Sequence, residues 1–184
     1  MELPEHLPAG VTPRGDGIAS GYGKVTVDAY IDFMCPYCRR FELSAASTLD
    51  ELLAADRIKL VYHPMNFLDE ASSTKYSTRA AAAAGCASDQ GQFLGYVSAL
   101  FRNQPGEGGP GLTDDELAEI GASAGLDPER LGAAIAEGRY LAWPDYVTEN
   151  ASEAGVTGTP TVFVAGSPVQ ADPEVIRTEV DRAS

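Results

Sequence analysis

Val25-Thr26-Val27-Asp28-Ala29-Tyr30-Ile31-Asp32-Phe33 runs into Met34-Cys35-Pro36-Tyr37-Cys38, a strand-like stretch ending at two cysteines with two residues between them. Apolar side chains are dense on both faces of residues 24–33, the pattern of an inner strand covered by helices on either side. A Cys-x-x-Cys that opens a helix sets its first sulfur beside unpaired backbone N–H groups and the positive end of the helix dipole, which favours thiolate over thiol. Cys35 is therefore the expected nucleophile and Cys38, about a turn further in, the resolving thiol. Pro36 suits the first helical turn, where its missing N–H has no intrahelical partner to lose.

Outward from the motif, a helix is expected from Cys35 to about residue 54, offering Phe41, Leu49, Leu52 and Leu53 to the core. Residues 56–63 read as a second strand, parallel to the first through the right-handed crossover that this helix supplies. After residue 67 the pattern turns helical: 68–88, alanine-rich; 90–103, with apolar residues at Phe93, Leu94, Val97, Leu100 and Phe101; then a Pro/Gly loop over 103–111. Thr113-Asp114-Asp115-Glu116 is a capping box, Asp127-Pro128-Glu129 an Asp cap with Pro at the first position, and a fifth helix spans roughly 140–154, with Pro144 marking its true start or kinking it. Strands at 161–165 and 167–170, turning near Gly166, and a closing helix from Asp172 complete the chain. The Pro- and Gly-rich residues 1–22 read as a lead-in lying along the surface, with His6 exposed.

Cys35-Pro36-Tyr37-Cys38, taken with Gly155-Val156-Thr157-Gly158-Thr159-Pro160-Thr161, resembles the DsbA-like branch of the thioredoxin superfamily, particularly its actinobacterial members. The resemblance spans the chain from about Gly21 onward. It implies an α/β thioredoxin fold with an inserted all-helical lobe: lead-in 1–22, a discontinuous thioredoxin domain over 23–66 and 147–184, and a helical insertion over 67–146. It also implies that Pro160 is cis and faces the cysteines, with Thr159 offering backbone groups to an extended client. The implied activity is protein-disulfide oxidoreductase, donating disulfides to exported proteins without a cofactor or metal. The implied partners are reduced or unfolded exported proteins and a membrane quinone-linked reoxidant of the DsbB or vitamin K epoxide reductase type. Such proteins act outside the cytoplasm, so an export or anchor segment is expected to be missing from this start, which has no signal-peptide pattern.

Composition agrees with a globular chain of one domain or two lobes: 184 residues, 44% hydrophobic and 22% charged, with no apolar run approaching the roughly 20 residues of a membrane span. A net charge of −14 argues against nucleic acid and anionic membranes and reads as a solvated surface. Three cysteines are too few for a disulfide scaffold, and no second ligand pair completes a zinc site. A monomer is expected.

The residues between the cysteines tune the couple. A nucleophile pKa near 3.5 rather than near 7 stabilises the reduced form by about 4 kcal/mol at pH 7, roughly 90 mV. Several strongly oxidising relatives carry His where this chain has Tyr37, which points to a milder oxidant. Many superfamily members place a buried carboxylate six residues before the nucleophile; that position is Ala29, and Asp28 alternates to the other face, so no proton relay is expected. Asp32 resembles an acidic residue of DsbA-like proteins but reads first as a solvated strand-end Asp. Many actinobacterial relatives bridge a cysteine matching Cys86 to one in the helix matching residues 131–137; here that helix has none, and Cys86 is expected to be a free, buried thiol. His63 reads as a packed strand-end histidine. A reductase or isomerase of the same fold, a non-catalytic peptide-binding or chaperone module and, more weakly, a zinc module are the alternatives.

Overall fold

The computed structural model describes residues 2–184. Its order is β1 Ile18–Ser20, β2 Val25–Asp32, α1 Pro36–Ala54, β3 Ile58–Met65, α2 Tyr76–Asp89, α3 Phe93–Arg102, α4 Asp114–Gly121, α5 Pro128–Glu137, α6 Trp143–Glu153, β4 Thr161–Val164, β5 Ser167–Val169 and α7 Pro173–Ala183. The five strands form one sheet in the order β1-β3-β2-β4-β5. β2 and β3 are parallel from Val25↔Ile58 to Asp32↔Met65, while β4 runs antiparallel to β2 and β5 to β4. Ala165 and Gly166 both have positive φ, the two-residue turn whose twist matches an antiparallel hairpin. This is a thioredoxin-fold α/β architecture, with α2 to α6 lying between β3 and β4 in the chain.

Central β2 is covered unequally. Val25, Val27, Ala29 and Ile31 are buried, whereas Thr26, Asp28 and Tyr30 on the opposite face are only half-buried. The expectation of full cover on both faces is thus corrected: beside Asp28 and Tyr30 lies an open groove of about 570 Å³ reaching Arg14, Lys59 and Phe163. On the covered side α1 contributes Phe41, Leu49 and Leu52, and α7 contributes Ile176 and Val180. Each such side chain supplies about 1.5–3 kcal/mol of burial.

The helical segment is organised around α2, of which only Arg79 and Asp89 are not buried. Its alanines leave room for α3, α5 and α6 to pack closely around it. It begins at Tyr76 and not at residue 68, where the alanine-rich stretch is expected to start. A single 3-10 turn occupies Asp69–Ala71, and Ser72 Oγ accepts from the N–H groups of Thr74 and Tyr76, so side chains capture the backbone that a helix would have used. Pro144 sits in the first turn of α6 and marks its start. The capping box at Thr113 and Glu116 and the Asp caps at Asp127 and Asp172 all form.

The N-terminal stretch also departs from expectation. Residues 15–18 are buried and β1 adds an antiparallel edge strand to β3. The contacts that hold it are remote in sequence. Trp143 Nε1 donates to Gly15 O at 2.8 Å, the Tyr146 hydroxyl to Arg14 O at 2.8 Å, and the Ser88 hydroxyl to Ala9 O at 2.6 Å. His6 is exposed.

Candidate active site

β2 ends at Asp32, and the chain reverses there because Cys35 N–H bonds back to Asp32 O at 3.0 Å. Cys35 then becomes the N-cap of α1 with extended backbone, and Pro36 occupies the first turn. No side chain caps this helix, so Cys35 stands at its N-terminus beside N–H groups without intrahelical partners, at the positive end of the helix dipole. Cys35 and Cys38 are both free thiols, 5% and 0% exposed.

The two sulfurs are electrostatically unlike. The Cys35 thiol is lowered to about 6, chiefly by a hydrogen bond from the Cys38 thiol. Burial opposes the shift, while the Cys38 backbone, the Thr159 side chain and the Tyr37 backbone add to it. Cys38 is pushed far above its ordinary value, first by burial and then by Cys35 itself. Asp32 N–H donates to Cys38 Sγ at 3.4 Å. One sulfur is thus built to carry charge and its neighbour to keep a proton.

Across the gap from β2, the Thr159–Pro160 peptide is cis, and the Cys35 thiol donates to Thr159 O at 3.3 Å. Cys35, Pro36 and Tyr37 share a cavity of about 350 Å³ with Thr157, Gly158 and Thr159. Phe67, Leu68 and Glu107 close its far side. The structure thus brings Cys35, Cys38, Pro36, Tyr37, Thr159 and Pro160 together at one end of the sheet. Tyr37 is 64% exposed, with the Arg40 guanidinium 5.5 Å from its ring centre.

Asp32 is a correction. Far from being solvated, it is 0% exposed. Its Oδ1 accepts from Met34 N–H at 2.8 Å and the Ser77 hydroxyl at 2.6 Å, and its Oδ2 from Leu68 N–H at 2.9 Å. Burial raises its carboxyl to about 6 against these three donors, and the charge of Cys35 pushes the same way. One side chain therefore ties the cysteine loop, the groove wall and the start of α2 together. Gln104 is a further residue of the site: its Nε2 donates to Phe33 O at 2.9 Å and Cys35 O at 3.0 Å. Nothing in a Pro/Gly loop signals such a contact.

The remaining candidates lie elsewhere. Cys86 is buried, raised to about 11 mainly by burial, and shares a cavity with Ala133 and Ala134 of α5. His63 is packed, its ring stacked 4.1 Å from Tyr30 and its nitrogens against Asp16 O and Asp28 Oδ1. Ala29, six residues before Cys35, is fully buried, and Asp28 does point to the opposite face. Among the described residues no cluster of three His, Cys, Asp or Glu side chains is arranged to hold a metal ion.

Three comparisons bear on this geometry. The thioredoxin family profile matches residues 19–182. The serine/threonine-protein kinase PknE of Mycobacterium tuberculosis is 35% identical over 156 residues, 80% of this chain, which spans 27% of that kinase's length. Among solved structures, the reduced form of the disulfide bond oxidoreductase DsbG of M. tuberculosis superposes with a TM-score of 0.80 at 29% identity, covering 92% of this chain and 88% of that one. Oxidised DsbA of M. tuberculosis superposes with a TM-score of 0.75 at 28% identity over 92% of this chain and all of that one (100%). Among the described residues no helix is long and apolar enough to cross a membrane.

Proposed function

The chain belongs to the thioredoxin family in its DsbA-like form, and on that premise we propose that it is a protein-disulfide oxidoreductase working through Cys35 and Cys38. The observation that carries the reading is the asymmetry of the pair: Cys35 opens a helix, favours the thiolate and lines the groove, while Cys38 lies fully buried behind it.

In the donating direction a client thiolate attacks Cys35 Sγ of the enzyme disulfide, and the Cys35–Cys38 bond breaks. Cys38 leaves with the bonding pair and takes a proton, as its burial demands. A second client thiolate then attacks the client sulfur of the mixed disulfide and frees Cys35, whose lowered pKa makes it the better leaving group. The client loses two electrons and the enzyme pair gains them. Thr159 and Pro160 position the extended client, with Pro36 and Tyr37 forming the rim beside the sulfur.

Exported proteins are the proposed clients, outside the cytoplasm, with reoxidation by a quinone-linked membrane enzyme of the DsbB or vitamin K epoxide reductase type. The resemblance to DsbA-like proteins supports these assignments. It likewise supports dividing the chain into a thioredoxin domain over 23–66 and 147–184 with a helical insertion over 67–146.

One observation favours a second reading, reductase or isomerase. A Cys35 pKa of about 6 stabilises the reduced form at pH 7 by only about 1 kcal/mol more than a pKa of about 7 would, or roughly 20 mV. Tyr37 brings no charge to add to it. Equilibration of the pair against glutathione buffers, with the thiolate followed by absorbance, separates the readings. A potential of roughly −120 to −180 mV is expected for a donor, and one near −250 mV would make the protein a reductase or isomerase.

A further inference from the structure

The groove beside Cys35 has one wall that the thioredoxin part of the chain does not supply. Residues 103–111, between α3 and α4, reach back to the cysteine loop and are fastened at both ends. At the near end Gln104 donates to the carbonyls of Phe33 and Cys35. At the far end Gly111, at φ +72°, lies so close to α2 that a Cβ there would stand 2.3 Å from Tyr76 Cγ. The Thr74 hydroxyl donates to Pro110 O, and Arg79 donates to Leu112 O at 2.7 Å. Anchors on both sides hold the tip against the groove.

The tip presents Glu107. It is the one Asp, Glu, Lys or Arg side chain lining the cavity, which it shares with Tyr37, Phe67 and Leu68. The Arg40 guanidinium lies against the Tyr37 ring and is not part of the lining, so no protein cation inside the groove answers the carboxylate. A space of about 350 Å³ is about 7 Å across, the reach of roughly two residues of extended chain.

We propose that Glu107 is a specificity residue for the exchange reaction, selecting client segments that carry Lys or Arg within about two residues of the reacting cysteine and an apolar side chain against Phe67 and Leu68. The proposal rests on the disulfide-exchange reading and names the substrate class of that same site. A solvent-exposed pair of opposite charges is worth a few-fold in rate or affinity, enough to rank clients without excluding any.

A basic neighbour also speeds a client by lowering the pKa of its own thiol, so a preference in the native protein alone decides nothing. The test compares ratios. The oxidised protein is mixed with two-thiol peptides that differ only in Lys, Gln or Glu two positions from the first cysteine, and reduction of its disulfide is timed by acid quench. The expected Lys-to-Glu rate ratio falls about three- to fivefold in Glu107→Gln and further in Glu107→Lys, and shrinks with added salt. Glu119→Lys, on the exposed face of α4, makes the same change of net charge and is expected to leave the ratio as in the native protein. The proposal is overturned if Glu107→Lys leaves the ratio unchanged, or if Glu119→Lys lowers it equally. Failure of the native protein to oxidise even the Gln peptide would overturn the exchange reading and this proposal with it.

Discussion

Ionisation of the Asp32 carboxyl costs folding free energy, because its donors do not replace the water it has lost. Its pKa rises from 3.8 to about 6 on folding, so the protonated form is the one the fold favours. The stabilising contribution is fully present below about pH 4 and is lost as pH rises through about 6, a change of about 3 kcal/mol. Asp32→Asn is neutral throughout. Its stability relative to the native protein is expected to improve by about that amount between pH 4 and pH 7, measured by urea denaturation of both. A pH-independent difference would mean that the carboxyl is not desolvated. The position of Cys35 at a helix start was legible because strand, motif and Pro36 are contiguous. The burial of Asp32 was not, since Leu68 and Ser77 come from segments 36 and 45 residues away.

The elements that start on their own residues were legible too. Thr113 with Glu116, Asp127 and Asp172 cap their helices from within four residues, and the signal is as local as the hydrogen bond. The start of α2 was not legible, because Asp69 and Ser72 bind backbone N–H groups, contacts that an alanine-rich composition does not announce. The 103–111 loop looked like a plain spacer, and its glycines differ in what they do. Gly111 combines a positive φ with contact against Tyr76, whereas Gly106 has nothing within 4 Å of where a Cβ would be. Gly111→Ala is expected to cost about 2 kcal/mol or more, several degrees in Tm, and Gly106→Ala to be neutral or slightly stabilising, both by thermal unfolding. Equal effects would mean that the loop is not pressed onto α2.

At the scale of the whole molecule the N-terminal residues join its parts. They bond to α2 at Ser88, to α6 at Trp143 and Tyr146, and to β3 through β1. Three residues are too short a strand to announce themselves, and partners 79 to 132 positions away are invisible to any local pattern. Cys38 on α1 and Cys86 on α2 are both buried with a raised pKa, whereas Cys35 has a lowered one and lines the groove of the site. Toward a bulky alkylating reagent near pH 7 the folded, reduced chain should therefore show a stoichiometry of one, and of three once unfolded. Intact-mass counting under the two conditions reads this directly, and an early second adduct would mark a breach in the core.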